Sequence, residues 1–166
     1  MADNPLAVYL NDHLAGAMLG SDLAEQIRAQ NEGTALGRLM ESLAPQIDQD
    51  RQTLIGLMQQ LDSSTNPVKQ ATAWIAEKAS RVKFSGMTSG ERELGRFMAL
   101  ETLTLGVRGK GCMWTALKQV ADQHPVIASL DLDELISRAR TQEDALEGER
   151  LVAGTRALEN RVPTTA

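Results

Sequence analysis

Eight ionisable residues occupy, or flank, positions of a seven-residue repeat where the long helices of this chain should be apolar. His13 falls between Leu10 and Ala17, in line with Leu6, Ala24 and Ile27. Asp50, with Arg51 beside it, falls between Ile47 and Leu54, in line with Leu36, Met40, Leu43 and Leu61. Glu101 and Arg108 interrupt Leu94, Met98, Leu105 and Cys112. Glu143 and Arg150 interrupt Leu132, Ile136, Ala139, Leu146, Ala153 and Ala157, with Glu147 at the edge. Carboxylates and an imidazole that converge can ligate a divalent cation. Arginines among them can instead clamp a carboxylate or phosphate ligand. The third possibility, and the leading one, is mutual: arginine–carboxylate pairs that satisfy one another and fix helix register, because an unpaired buried charge is costly.

The elements that position these residues are punctuated clearly. Asn4-Pro5 reads as an N-cap followed by proline at the first helical position. Glu32-Gly33 supplies a left-handed stop, and Thr34 caps a second helix. Asn66-Pro67 repeats the cap-plus-proline start. Thr88 to Glu91 and Asp131 to Glu134 are capping boxes, the second flanked by Leu130 and Leu135 as a hydrophobic staple. Helices are predicted over about 5–31, 34–61, 67–83, 89–123 and 132–160, with a frayed tail beyond. No segment alternates with a strand's period, so the fold class is all-α. Two long hairpins joined by a shorter helix describe an up-down four-helix bundle with a crossover. A turn near residue 127 sets Glu101 about one turn from Arg150 and Arg108 level with residue 146. A turn near residue 33 sets Asp50 and Arg51 about one turn from His13. All eight residues are therefore expected in one central cluster.

Several expectations attach to single positions. Pro45 should kink or break the second helix. Gly106, Gly109 and Gly111 lack the preceding strand of a phosphate loop. With Gly16, Gly20, Gly37, Gly56, Gly148 and Gly154 they fit close helix–helix approach better. Cys112, on an apolar seam, is expected to be buried and inert. The predicted helix 67–83 carries Lys69, Lys78, Arg81 and Lys83 beside Trp74 and Ile75. It reads as a packed crossover with a solvated basic face, in preference to a membrane-surface or acidic-partner patch.

Composition narrows the function classes. With 17 Lys and Arg against 22 Asp and Glu, the net charge of −5 argues against a nucleic-acid partner. No apolar run reaches the length of a transmembrane helix. A single cysteine among 166 residues rules out an intrachain disulfide or a multi-cysteine metal site. The start, Met1 to Pro5, has no basic region followed by an apolar run, so a cytoplasmic setting is expected. No Ser or Cys has a histidine at a readable spacing, and no catalytic constellation is legible.

The hairpin–crossover–hairpin order with polar residues at mid-bundle resembles the ferritin-like fold. The stretches Tyr9 to Gly16, Asp48 to Arg51, Trp74 to Lys78 and Leu105 to Trp114 resemble a family of small bacterial helical-bundle proteins of that kind. Metal-bearing ferritin-like proteins take Glu from two helices and Glu-x-x-His from two others. Here the corresponding places hold Asp48-x-x-Arg51 and Glu147-x-x-Arg150, and neither His13 nor His124 has an acid three residues before it. Arginine cannot ligate a cation. The resemblance thus implies a scaffold without the usual di-iron ligand set and with no predicted cofactor. The function expected is non-catalytic, through self-association or a protein partner. The alternative is a divergent metal-binding protein or oxidoreductase using Asp50, Glu101, Glu143, Glu147 and His13. A further option is an anion binder using Arg51, Arg108 and Arg150.

Overall fold

The computed structural model describes residues 4–61 and 89–159. The expected crossover helix 67–83, Thr88 of the first capping box and the tail lie outside the described residues. Among the described residues every regular element is helical. Helix α1 spans Pro5–Gln30, α2 Ala35–Leu61, α3 Ser89–Val120, the one-turn α4 Pro125–Ala128 and α5 Leu132–Leu158. A 3-10 turn, Ala121–Gln123, links α3 to α4.

The ends form where the side chains can close them. Asn4 Oδ1 accepts from the Leu6 amide, with Pro5 as the first helical residue. Asp131 Oδ1 accepts from the Glu134 amide at the start of α5. Between α1 and α2, Gly33 adopts φ +74° and Thr34 Oγ1 accepts from the Gly37 amide. Helix α2 runs unbroken through Pro45. The carbonyl that proline leaves without a donor belongs to Glu41 on the exposed face, where water can replace the lost hydrogen bond.

Helices α1 and α2 pack as one hairpin and α3 and α5 as another, with α1 against α3. The second hairpin is antiparallel, because Arg150 meets Glu101 and Lys118 meets Asp133. Its buried faces come from heptads that run through Leu100, Leu103, Val107, Trp114 and Leu117 on α3 and Leu135, Ala139, Leu146 and Ala153 on α5. The core falls into two apolar clusters. One joins Met40, Ile47, Leu100, Val107 and Leu146. The other joins Leu14, Leu54, Met113, Trp114 and Leu135.

The predicted seam of α3 is corrected. Leu94, Met98 and Leu105 are 42%, 54% and 63% exposed, and Cys112 is exposed as well. Two apolar stripes compete on this helix. The heavier one, with Trp114, Leu100 and Leu117, turns inward and rotates the other out. The glycines divide in the same way. An added Cβ at Gly154 would strike Phe97 of α3, and one at Gly111 would touch Ala139 Cβ of α5 at 3.4 Å, so close helix–helix approach holds at those two; at Gly37 it would strike the Asn31 backbone in the α1–α2 turn. At Gly16, Gly20, Gly56, Gly106, Gly109 and Gly148 an added Cβ would meet nothing within 4 Å, so close approach is not their role.

Candidate functional site

Between the two apolar clusters lies one polar layer. Its centre is Asp50, 1% exposed, reached from three directions. Lys110 Nζ donates to Asp50 Oδ2 at 2.5 Å and also to Gln142 Oε1. Arg138 donates to Asp50 Oδ1 through Nε at 2.9 Å and through a terminal nitrogen. Gln142, fully buried, donates from Nε2 to Gln46 Oε1 at 3.3 Å. Three of its members follow from the heptads. Asp50 stands between Ile47 and Leu54, Lys110 between Val107 and Trp114, and Gln142 between Ala139 and Leu146. One carboxylate here faces two cations, so the layer carries a surplus positive charge. Burial pushes the Lys110 ammonium below its ordinary pKa, against the pull of Asp50.

The eight predicted residues do not form one cluster. Asp50 alone sits in the layer. Arg51 lies beside it, held to Asp48 at 2.5 Å. Arg150 pairs with Glu147 at 2.6 Å and Glu101 at 3.0 Å on the outer side of the α3–α5 hairpin, over the Phe97 ring. Its hydrogen bond to Glu147 raises the Arg150 pKa and lowers that of Glu147. Arg108 is largely exposed and stands 3.7 Å from Glu143 on the same side. The dispersal follows from the rotation of α3, which carries Glu101 and Arg108 outward with Leu105. The anion clamp expected of Arg51, Arg108 and Arg150 is likewise divided between two faces. Among the described residues no three His, Cys, Asp or Glu side chains come together as a ligand set. Sequence reasoning missed Lys110, Arg138, Gln142 and Gln46. Lys110 and Gln142 were readable as polar members of the alternative heptads.

Beside the layer, α1, α2 and α3 enclose a cleft of about 220 Å³. Asp50, Arg51 and Lys110 reach it from the layer side, and His13 from α1. Its apolar wall includes Leu54, Leu103, Val107 and Trp114. Trp114 is fully buried, yet its indole Nε1 has no hydrogen-bond partner among the described residues; Arg51 Nε is buried and unpartnered too. An unsatisfied buried donor costs about 1–3 kcal/mol.

His13 is half-buried, edge-on to Tyr9 with centroids 4.6 Å apart. Burial lowers its pKa from 6.5, partly opposed by Asp12. As pH falls through that value the unfolded chain takes up the proton before the folded one, which favours unfolding. The free energy of urea unfolding is therefore expected to drop between about pH 7 and pH 5, and His13→Gln should flatten that slope. An unchanged slope would show that the imidazole is solvated.

Among the described residues no helix is long and apolar enough to cross a membrane. Comparison with protein-family models, curated proteins and solved structures found no match.

Proposed function

We propose that this chain is a non-catalytic bundle of ferritin-like arrangement that acts by self-association through the outer face of α3. The observation that carries the reading is the second apolar seam, Leu94, Met98 and Leu105, left in solvent along a helix that already buries its other stripe. A helix apolar on two faces is suited to two packing partners. The seam is self-complementary. If two copies meet antiparallel about a two-fold axis near Leu105, Glu101 of one comes within about a turn of Arg108 of the other. Met98 then faces the region of Cys112. Isologous contacts of this kind close into a dimer and leave no growing edge.

Sedimentation over a concentration series should show a dimer, and Met98→Glu with Leu105→Glu should yield a folded monomer. In a Cys112→Ser background, Leu105→Cys should cross-link to itself on oxidation, because a residue near a two-fold axis meets its own copy. A monomer at every concentration would refute the reading.

A further inference from the structure

We propose that the outer groove between α3 and α5 receives Met98 and Leu151 of a second copy, so that the dimer interface spans both helices of the hairpin. The inference rests on the self-association reading above and extends it from one helix to two, with a named socket. The outer side of this hairpin changes along its length. Toward the start of α3 it protrudes. Leu94 and Met98 stand exposed there, and on α5 Leu151 and Leu158 are 56% and 65% exposed. Leu151 follows Glu147 by four residues, and Glu147 holds Arg150 beside Glu101, so Leu151 shares the outer face with these charges. The Arg150–Glu101 contact also sets Met98 and Leu151 within about a turn of one another along the hairpin. Toward the end of α3 the same side is hollow. A groove of about 420 Å³ runs between Cys112, Thr115 and Ala116 on α3 and Ile136, Ala139 and Arg140 on α5.

The occupant follows from symmetry. A two-fold axis that pairs α3 antiparallel with its own copy near Leu105 also sets α5 beside α5, on the same side of α3 in both copies. Positions equally far before and after Leu105 then face one another. Met98 of one copy lies at the level of Cys112 of the other, and Leu151 at the level of Arg140. Each protruding end meets a groove, twice per dimer. A parallel pair would set Met98 against Met98 and leave two grooves facing each other, filled with water. Methionine, with three rotatable bonds, suits a socket of irregular shape. Charge favours the same arrangement. Arg140 is exposed at the rim and makes no ion pair among the described residues. In the antiparallel dimer Glu101 of the other copy comes within about a turn of it, and the rim cation gains a carboxylate.

The test measures the dimer dissociation constant by sedimentation for Leu151→Glu and Thr115→Trp. Both positions are exposed, and neither belongs to the seam of Leu94, Met98 and Leu105. Leu151→Glu removes an apolar contact contributed by α5, and Thr115→Trp fills the groove from within. Each is expected to weaken the dimer at least tenfold while the thermal transition stays cooperative. In a Cys112→Ser background, mixing Leu151→Cys with Arg140→Cys should give a cross-link on oxidation that neither gives alone. The two positions stand about three turns apart on one helix and can meet only between copies. If the parent dimerises and Leu105→Cys cross-links, but either variant dimerises as the parent does or the mixed cysteines fail to pair, the groove is empty in the dimer. That result overturns this proposal and leaves the self-association reading standing. A parent that stays monomeric at every concentration overturns both.

Discussion

Asp50→Ala is expected to destabilise the protein by about 3–5 kcal/mol, the cost of leaving buried charge unpaired. Asp50 is 1% exposed and accepts from both Lys110 and Arg138, so its removal strands two largely buried cations in the polar layer. Gln142 cannot compensate, because it offers dipoles and no negative charge. Lys110 can relieve part of the loss by shedding its proton, and its pKa is already pushed down by burial. Arg138 cannot. The penalty should therefore be larger at pH 7 than at pH 9, as read by urea unfolding. Removing every charge at once is a different experiment. Asp50→Leu with Lys110→Met, Arg138→Met and Gln142→Leu, the last because Gln142 Oε1 would otherwise lose its Lys110 donor in the core, should unfold within about 1 kcal/mol of the parent, since apolar replacement of a whole buried polar set is often neutral or stabilising. Arg150→Ala is the surface control. Its partners Glu101 and Glu147 are substantially exposed, so its effect should be a small fraction of that of Asp50→Ala. Equal losses would mean that the layer around Asp50 is as wet as the surface.

The helices were legible because their ends are written in local chemistry that tertiary packing does not override. Asn4 with Pro5, Gly33 with Thr34, and Asp131 each close a terminus within three or four residues of chain. Facing is a different kind of information. On α2, and on α5 up to about residue 150, one apolar stripe dominates, so Met40, Ile47 and Leu54, and likewise Ala139 and Leu146, were read correctly as buried. On α3 two stripes of similar period lie on different faces, and periodicity alone cannot choose between them. Apolar load decides it: the inward stripe carries Trp114 with Leu100, Leu103, Val107 and Leu117, whereas Leu94, Met98, Leu105 and Cys112 are interrupted by Glu101 and Arg108. That one rotation accounts for most of the error at the site. It moved Glu101 and Arg108 to the surface and brought Lys110, unremarked in the sequence, against Asp50. Arg138 had no seam position to announce it. It reaches Asp50 from the edge of α5 by the length of its side chain, which only the assembled bundle specifies.

Two glycine-to-alanine substitutions should move stability in opposite directions, and the contrast tests whether glycine here makes contact or makes space. At Gly37 a Cβ would overlap the carbonyl oxygen of Asn31. That oxygen accepts from Thr34 Oγ1 at 2.7 Å and from the Thr34 amide at 3.1 Å. Asn31 is itself buried and held by its side-chain donation to Ile27 at 2.7 Å. The clash is with backbone that has no rotamer to change. Relief requires opening the α1–α2 turn, with loss of the Thr34 cap on the Gly37 amide. Gly37→Ala should cost about 3 kcal/mol, at the upper end of overpacking effects, and lower the melting temperature by roughly 6–12 °C. At Gly106 the added methyl meets nothing, so the helix gains the ordinary preference for alanine, about 0.5–1 kcal/mol. Its melting temperature should rise by roughly 1–4 °C. If both alanines raised the transition, the Gly37 contact would be one the turn can yield without loss. If both lowered it, the space around Gly106 would be smaller than the cleft requires. Only opposite signs fit a chain that uses one glycine to close a turn and another to keep a cleft open.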